Sequence, residues 1–467
     1  MSTVAVVVTC HGEYLSWLPD ALTSIDRQYP QAAERVVVFD GCDVPDWLSP
    51  DWKAYRGQWG HPSPARNHGM AHTSAPWLVF WDADNVMPPG FLEASLRAVR
   101  AAPPEVGIVY SDVQLCDMSL RPAGKWTMPE WDYWALRAEN YVDTAAVWRR
   151  EAIDLAGGWS TRANCFEDYA LALDITERGW KAKKRPGPPV LMRQHENSRM
   201  GSRAKERQLF QDIWKARSLA IVTLLAGRQT TLPIWEEFLL GAELPPKTSL
   251  YVVDNSGSPE FHHRALAACD RIAGERGLRH MDLTASGTPY EPRPGEPYLT
   301  RERHLHVARL YGSVLPRVRE DLVLTLEDDI APPPFAIRAL GEQIGFPSWG
   351  KYGAVAGAYD MGDGHLCGGR DDGGLGSSIA WSDLPPHPID AGCVGGGCTV
   401  WANWVLADLP VNFWWHQGLG WDWSLSSQIR RRGYRLRIHG GVHCVHHLHG
   451  SLRETIGGPL VTLKSGG

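Results

Sequence analysis

Residues 78–89 read LVFWDADNVMPP, and residues 322–333 read LVLTLEDDIAPP. Each is an apolar run that ends abruptly in carboxylates, Asp82-Ala83-Asp84 or Glu327-Asp328-Asp329, and then meets prolines. A short, wholly apolar run bounded by turn residues reads as a strand covered on both faces, as in a parallel sheet. In an open α/β sheet, ligands bind beyond the carboxyl ends of the strands. Two acids separated by one residue at that edge suit a hard divalent cation, which commonly bridges one or two carboxylates to substrate phosphates. The plainer alternative is a polar turn capping the helix that follows Pro88.

The flanking sequence supports the sheet. VAVVVT (4–9) is a first strand, Tyr14 to about Gln28 a helix, RVVVFD (35–40) a second strand, Ala65–His72 a helix and WLVFWD (77–82) a third strand. Strands alternating with helices argue for a parallel α/β sheet. The pattern restarts at LAIVTLLAG (219–227), with a helix over Thr230–Leu240 and strands SLYVVD (249–254) and DLVLTLED (321–328). Between the halves, 196–218 is polar and basic with a helical tail, and the expected domains are 1–215 and 216–467. The Gly-, Asp- and Pro-rich region 362–392 reads as a long loop near the second site.

The 467 residues suffice for two or three domains, with 43% hydrophobic and 21% charged residues. A net charge of −6 gives no general pull towards nucleic acid. Nine cysteines without paired spacing, and a first segment, MSTVAVVVTC, with no basic leader region, lead us to expect reduced thiols in a cytoplasmic protein. No apolar run approaches a membrane span.

Asp40 ends the second strand and Asp254 its later counterpart. An acid there can hydrogen-bond a ribose, although a strand-end turn explains it equally well. Neither GxGxxG nor GxxxxGK[ST] occurs, which excludes a dinucleotide fingerprint and a P-loop. Glu167 and Asp168 open a helix in FEDYALALDITERG; its dipole stabilises them, and Asp168 also suits a general base.

VAVVVTCHGEYL, VVVFDGCD, PARNHGMAHTSAPWLVFWDADN and GGW…FEDYALALDITERG, in this order, resemble the inverting family 2 glycosyltransferases of GT-A fold. The resemblance covers about residues 3–200. It implies a hexosyl-type transferase in which Thr9, Asp40, Arg66, Asn67 and Asp82 meet the donor. Asp84 holds Mn²⁺ or Mg²⁺ at the diphosphate, and Asp168 is the base. QHENS resembles the family's late His-x-x-Ser element, which makes His195 a further metal or diphosphate contact. One departure is TCHGE, where the family carries a Pro-Thr-Tyr-Asn-like turn.

The second half repeats part of this. From Asp168 to Gly179 and from Asp422 to Gly433 are equal steps, as are Gly179 to His195 and Gly433 to His449. Asp254, Glu327 and Asp328 are expected at a second donor, Asp329 and His449 at its metal, and Asp422 as its base. GCVGGGCTVWANWVL (392–406) resembles the Gly-rich segment before the acceptor helix. Here ARNxG shrinks to Ala308-Arg309, and Trp421 replaces the Glu of the ED pair. His439, His443, His446, His447 and His449 with Cys444 match no standard zinc spacing and read better as strand-borne residues at the second site. Some of the 22 tryptophans, in WTMPEWDYW and FWWHQGLGWDW, offer faces for sugar stacking. The basic stretches at 181–193 and 430–437 are solvated faces, or guides for an anionic acceptor.

The expected fold is two tandem GT-A (Rossmann-like) domains. The expected activity moves sugars from UDP- or GDP-sugars to a glycan or glycoconjugate, in two sequential sites. Alternatives are action on hydroxymethylated DNA bases, or one active domain beside a non-catalytic carbohydrate-binding one. A sugar nucleotidyltransferase needs a Gly-rich, Arg-containing first turn, which TCHGEYL lacks.

Overall fold

A computed structural model of the chain describes residues 3–195, 206–287, 300–360, 364–372, 377–407, 409 and 420–447. The chain divides into two compact units, Met1–Ala216 and Arg217–Gly467.

The first unit contains β1 (Val4–His11), β2 (Glu34–Asp40), β3 (Lys53–Gly57), β4 (Trp77–Asp82), β5 (Val106–Tyr110), β6 (Val113–Cys116), β7 (Pro122–Trp126), β8 (Val147–Arg149), β9 (Lys181–Lys184) and β10 (Val190–Arg193). Seven strands form one sheet in the order β3-β2-β1-β4-β8-β5-β9. All neighbours are parallel except β8, which runs against both β4 and β5. The central strands are buried along almost their whole length, as a sheet flanked by helices requires. Strands β10, β6 and β7 form a separate small sheet. The helix Glu206–Ala216 belongs to this unit, and its Asp212 accepts the Cys165 N–H.

The second unit contains β11 (Leu219–Leu225), β12 (Thr248–Asp254), β13 (His280–Ala285), β14 (Leu322–Glu327), β15 (Ile330–Ala331), β16 (Tyr352–Ala358), β17 (His365–Arg370), β18 (Ser378–Ala380), β19 (Pro388–Val394), β20 (Cys398–Ala402), β21 (Arg435–His443) and β22 (Val445–His446). Its large sheet begins β13-β12-β11-β14-β20-β16-β21. That is the order of the first unit, strand for strand, and β20 is again the antiparallel member. The two halves therefore share one topology although their sequences differ.

The expected loop over 362–392 is a correction. Its described residues form β17, β18 and β19, which extend the sheet beyond β21. Glycine suggested a loop, but here it serves packing. A Cβ on Gly368 would stand 2.6 Å from the Ile438 side chain. The aromatic segment 126–134 is likewise not all loop: Trp126 ends β7, and Tyr133 and Trp134 begin the helix Tyr133–Ala138, capped by Asp132.

Candidate active site

The first unit's acids gather at the carboxyl ends of β1, β2 and β4. Register places Thr9 opposite Asp82 and His11 opposite Asp40. After Asp82 the chain turns tightly, with the Asn85 N–H donating to the Asp82 carbonyl at 3.1 Å. This turn is fastened to the end of β10. The Arg193 guanidinium donates to the Asp84 carbonyl at 3.1 Å, and the Arg193 N–H donates to the Asn85 side chain. The same fastening brings His195 to Asp84, with Nε2 3.0 Å from Oδ2. Trp17 packs against the His195 ring at 4.5 Å between centroids. Burial and Asp82 raise the Asp84 carboxyl above its ordinary range, while His195 pulls it down.

Each residue of the ARNxG element has a distinct task on the helix Pro62–Ala71. Ala65 is buried. Arg66 lies beneath the acids and bridges Asp82 (2.9 Å) and Glu167 (3.0 Å), with Trp159 against its guanidinium. Gly69 lets the helix meet β1, where a Cβ would come 2.4 Å from Val7. Asn67 braces the GGW turn, its amide donating to the Trp159 carbonyl at 2.8 Å and accepting the Trp159 N–H at 2.9 Å. Asp40 is also partly spent, since its Oδ1 accepts the N–H groups of Trp59 and Gly60.

Asp168 opens the helix Glu167–Glu177. Asn140 donates to its Oδ1 at 3.2 Å, the Tyr169 N–H to the same oxygen at 2.6 Å, and the Thr144 hydroxyl to Oδ2 at 3.5 Å. Burial, with Glu167 and Asp143 beside it, raises its carboxyl well above the usual range. The sequence reading missed Asp143. Burial raises it to about 6, and it feels Asp82, Arg66 and Asp84. It links the DxD turn to the Asp168 end of the site electrostatically. The signal in the sequence was the pairing Asn140…Asp143-Thr144, polar residues just ahead of the apolar β8.

The second unit aligns with the first by register. Arg66 stands 11 residues before β4 begins (77 − 66), and Tyr311 stands 11 before β14 begins (322 − 311). Val147 pairs with Val79 and Val400 with Leu324, so Asp143 and Gly396 occupy equivalent positions. The buried Arg66–Glu167 ion pair is thus replaced by Tyr311 against Trp421, with ring centroids 4.1 Å apart. Ala308-Arg309 does not supply the bridge, since Arg309 is exposed. Asp422 accepts the N–H groups of Gly396 and Trp423, both at 2.9 Å, and burial pushes it to about 6. The triple glycine allows close approach: Cβ atoms would meet Cys367 at Gly395, Trp421 at Gly396 and Tyr359 at Gly397.

Glu327 is pushed up to about 8 by burial, with Asp329 and Asp422 beside it. Asp328 and Asp329 both meet Arg228, at 2.5 and 2.8 Å, and the Ala226 N–H donates to Asp328. The histidine facing Asp329 is His446, with Nε2 3.8 Å from Oδ2. Gap-free counting had pointed to His449, which lies outside the described residues; β21 and β22 bring His446 there first. Burial disfavours the His446 cation, but Asp329 outweighs it and raises its pKa. Asp254 accepts from the Ser256 N–H and pairs with His262 at 2.9 Å.

The remaining expectations sort quickly. Among the described residues, no three His, Cys, Asp or Glu side chains form a metal-holding group. The basic stretches are largely committed internally. Lys184 pairs with Asp112, Arg193 with Asp20, Arg430 with Asp371, and Arg435 and Arg437 with Asp390. All nine cysteines are free thiols. No helix among the described residues is long and apolar enough to cross a membrane.

Residues 5–154 match the family model described as glycosyl transferase family 2. No curated protein matches the chain. Among solved structures, it is similar to the crystal structure of S. aureus TarS 1-349, at 13% identity and a TM-score of 0.34, covering 46% of this chain and 71% of that one. It is also similar to the crystal structure of S. aureus TarS, at 13% identity and 0.33, covering 46% and 43%. The family match lies across β1 to β8, the strands whose carboxyl edge carries the acids, and the first unit's sheet is that of a GT-A fold.

Proposed function

We propose that the first unit moves a sugar from a nucleotide diphosphate sugar to an acceptor hydroxyl, with inversion, and needs Mn²⁺ or Mg²⁺. One observation carries this reading: Asp168 is a half-buried carboxylate at the start of the helix Glu167–Glu177, held by Asn140 and Thr144 and raised above its usual range. A base works best when its pKa lies near the operating pH, and burial moves Asp168 in that direction. Its Oδ1 takes two donors while Oδ2 meets only the long Thr144 contact at 3.5 Å among the hydrogen bonds given above, so we read Oδ2 as the oxygen that takes the acceptor's proton.

The protein groups suit a divalent ion. The Asp84 carboxylate and the His195 imidazole, which already face each other, are the side chains that would hold it, a hard oxygen and a nitrogen donor beside the diphosphate. When bound, the ion offsets charge on the leaving diphosphate. Arg66 holds Asp82 and Glu167 in place, and we read Thr9 and Asp40, at the carboxyl ends of β1 and β2, as the residues that meet the nucleoside.

The test separates binding from transfer. Asp168→Asn should keep donor binding, read by thermal shift with UDP- and GDP-sugars, and lose transfer by roughly 100-fold or more. Transfer at the wild-type rate would overturn the assignment. The second unit repeats the fold and the helix-opening acid, so we read it as a second donor site. Its acceptor, like the first, is a glycan or glycoconjugate. The internal pairing of the basic stretches favours this over DNA.

A further inference from the structure

The two acidic edges are neutralised from opposite sides. In the first unit the arginine lies below the strand ends: Arg66 pairs with Asp82 and Glu167 and does not reach Asp84 by any direct ion pair. Asp84 Oδ2 faces His195 instead. In the second unit the position below is taken by Tyr311 and Trp421, which carry no charge. The cation comes from above, on the turn after β11. Arg228 follows Ala226-Gly227, where the first unit has His11-Gly12-Glu13. Gly227 adopts a φ of +82°, a left-handed turn suited to glycine, and the Ala226 N–H is tied to Asp328. This turn holds Arg228 Nη1 at 2.5 Å from Asp328 Oδ1 and 2.8 Å from Asp329 Oδ2.

The oxygen that Arg228 meets on Asp329 is the one that faces His446. It is also the counterpart of the Asp84 oxygen that faces His195, because Asp84 and Asp329 both stand two residues past the last residue of their strand, Asp82 and Glu327. A metal ion and a guanidinium cannot both occupy that oxygen's inner side. Arg228 pairs directly with both acids that follow Glu327, Asp328 and Asp329.

We propose that Arg228 takes the place of the divalent cation in the second unit, so that Asp329 is an arginine partner and the chain binds one catalytic metal ion, not two. This rests on reading the second unit as a donor site. There Arg228, held by two carboxylates, supplies the fixed positive charge that a divalent ion would otherwise bring to the diphosphate.

The experiment counts bound Mn²⁺ on the full chain by electron paramagnetic resonance. Wild type should bind one tight ion, Asp84→Asn none, and Asp329→Asn still one. Arg228→Gln should bind two, and the added ion should vanish in Arg228→Gln/Asp329→Asn. Arg228→Lys, which keeps the charge, should bind one. Two ions in wild type with one lost in Asp329→Asn would overturn the proposal. So would an unchanged count in an Arg228→Gln protein whose circular dichroism is native. If Arg228→Gln does not fold, the Asp329→Asn count decides alone. A separate thermal-shift series with UDP and GDP in EDTA tests the donor-site reading. If neither nucleotide binds there, that reading fails while the ion count still decides the role of Arg228.

Discussion

Replacing Arg66 by Met isolates the buried ion pair beneath the first site. Arg66 and Glu167 are 4% and 8% exposed, so the substitution takes the Arg66 partner from a carboxylate held away from water. Breaking such a pair from one side costs about 3–5 kcal/mol. Asp82 adds little, because it is 37% exposed and solvent screens it to the roughly 0–1 kcal/mol of surface pairs. In a domain of this size 1 kcal/mol moves the melting temperature by about 2–4 °C, so the first unit should melt on the order of 10 °C lower. Removing both charges should restore much of that, since apolar replacement of a whole buried pair is often neutral. The second unit already makes this exchange with Tyr311 and Trp421. Thermal melts of Arg66→Met, Glu167→Leu and the double variant would measure it, with hydrogen exchange on β1 and β4 peptides assigning the transition to the first unit. A shift under about 2 °C in Arg66→Met, or a double variant as unstable as the sum of the singles, would refute the reasoning.

Glu327, with a folded value of about 8, binds its proton more tightly folded than unfolded. Stability of the second unit should therefore fall as pH rises from the ordinary carboxylate range to about 8, and Glu327→Gln should flatten that slope in urea midpoints taken across it. Asn140→Ala removes a donor to the charged form of Asp168, so the acidic limb of the kcat/KM profile should move up by about one pH unit. Gly396→Ala drives a Cβ to 2.3 Å from the Trp421 ring and should cost the second unit more than about 1–3 kcal/mol. Gly157→Ala, with φ of +87° but open space around it, should cost only about 1 kcal/mol in the first.

The strand-end acids were legible because apolar runs and abrupt carboxylates are local features: β4 and β14 stop at Asp82 and Glu327 as the pattern required. The second unit's topology was legible only in outline, since its likeness to the first resides in strand order and not in identity. What stayed hidden depends on partners distant in sequence. Asn67 also braces Trp159, 92 positions away. Arg228 meets Asp328 across 100 positions, and no local spacing announces it. His446 beside Asp329 follows from the pairing of β15 with β22, which no count along the chain gives. The glycine-rich 362–392 segment misled because glycine marks loops and tight strand packing alike.

The central claim is that the first unit is a metal-dependent nucleotide-sugar transferase working through the DxD turn. Its most direct test is nucleoside diphosphate release from UDP-, GDP- and dTDP-sugars with Mn²⁺, by wild type and Asp84→Ala, with and without EDTA. The account predicts that one donor is turned over by wild type with Mn²⁺, and that Asp84→Ala or EDTA abolishes the first unit's share. Release that persists undiminished in both Asp84→Ala and EDTA, or a wild type that neither cleaves nor binds any donor, would contradict it.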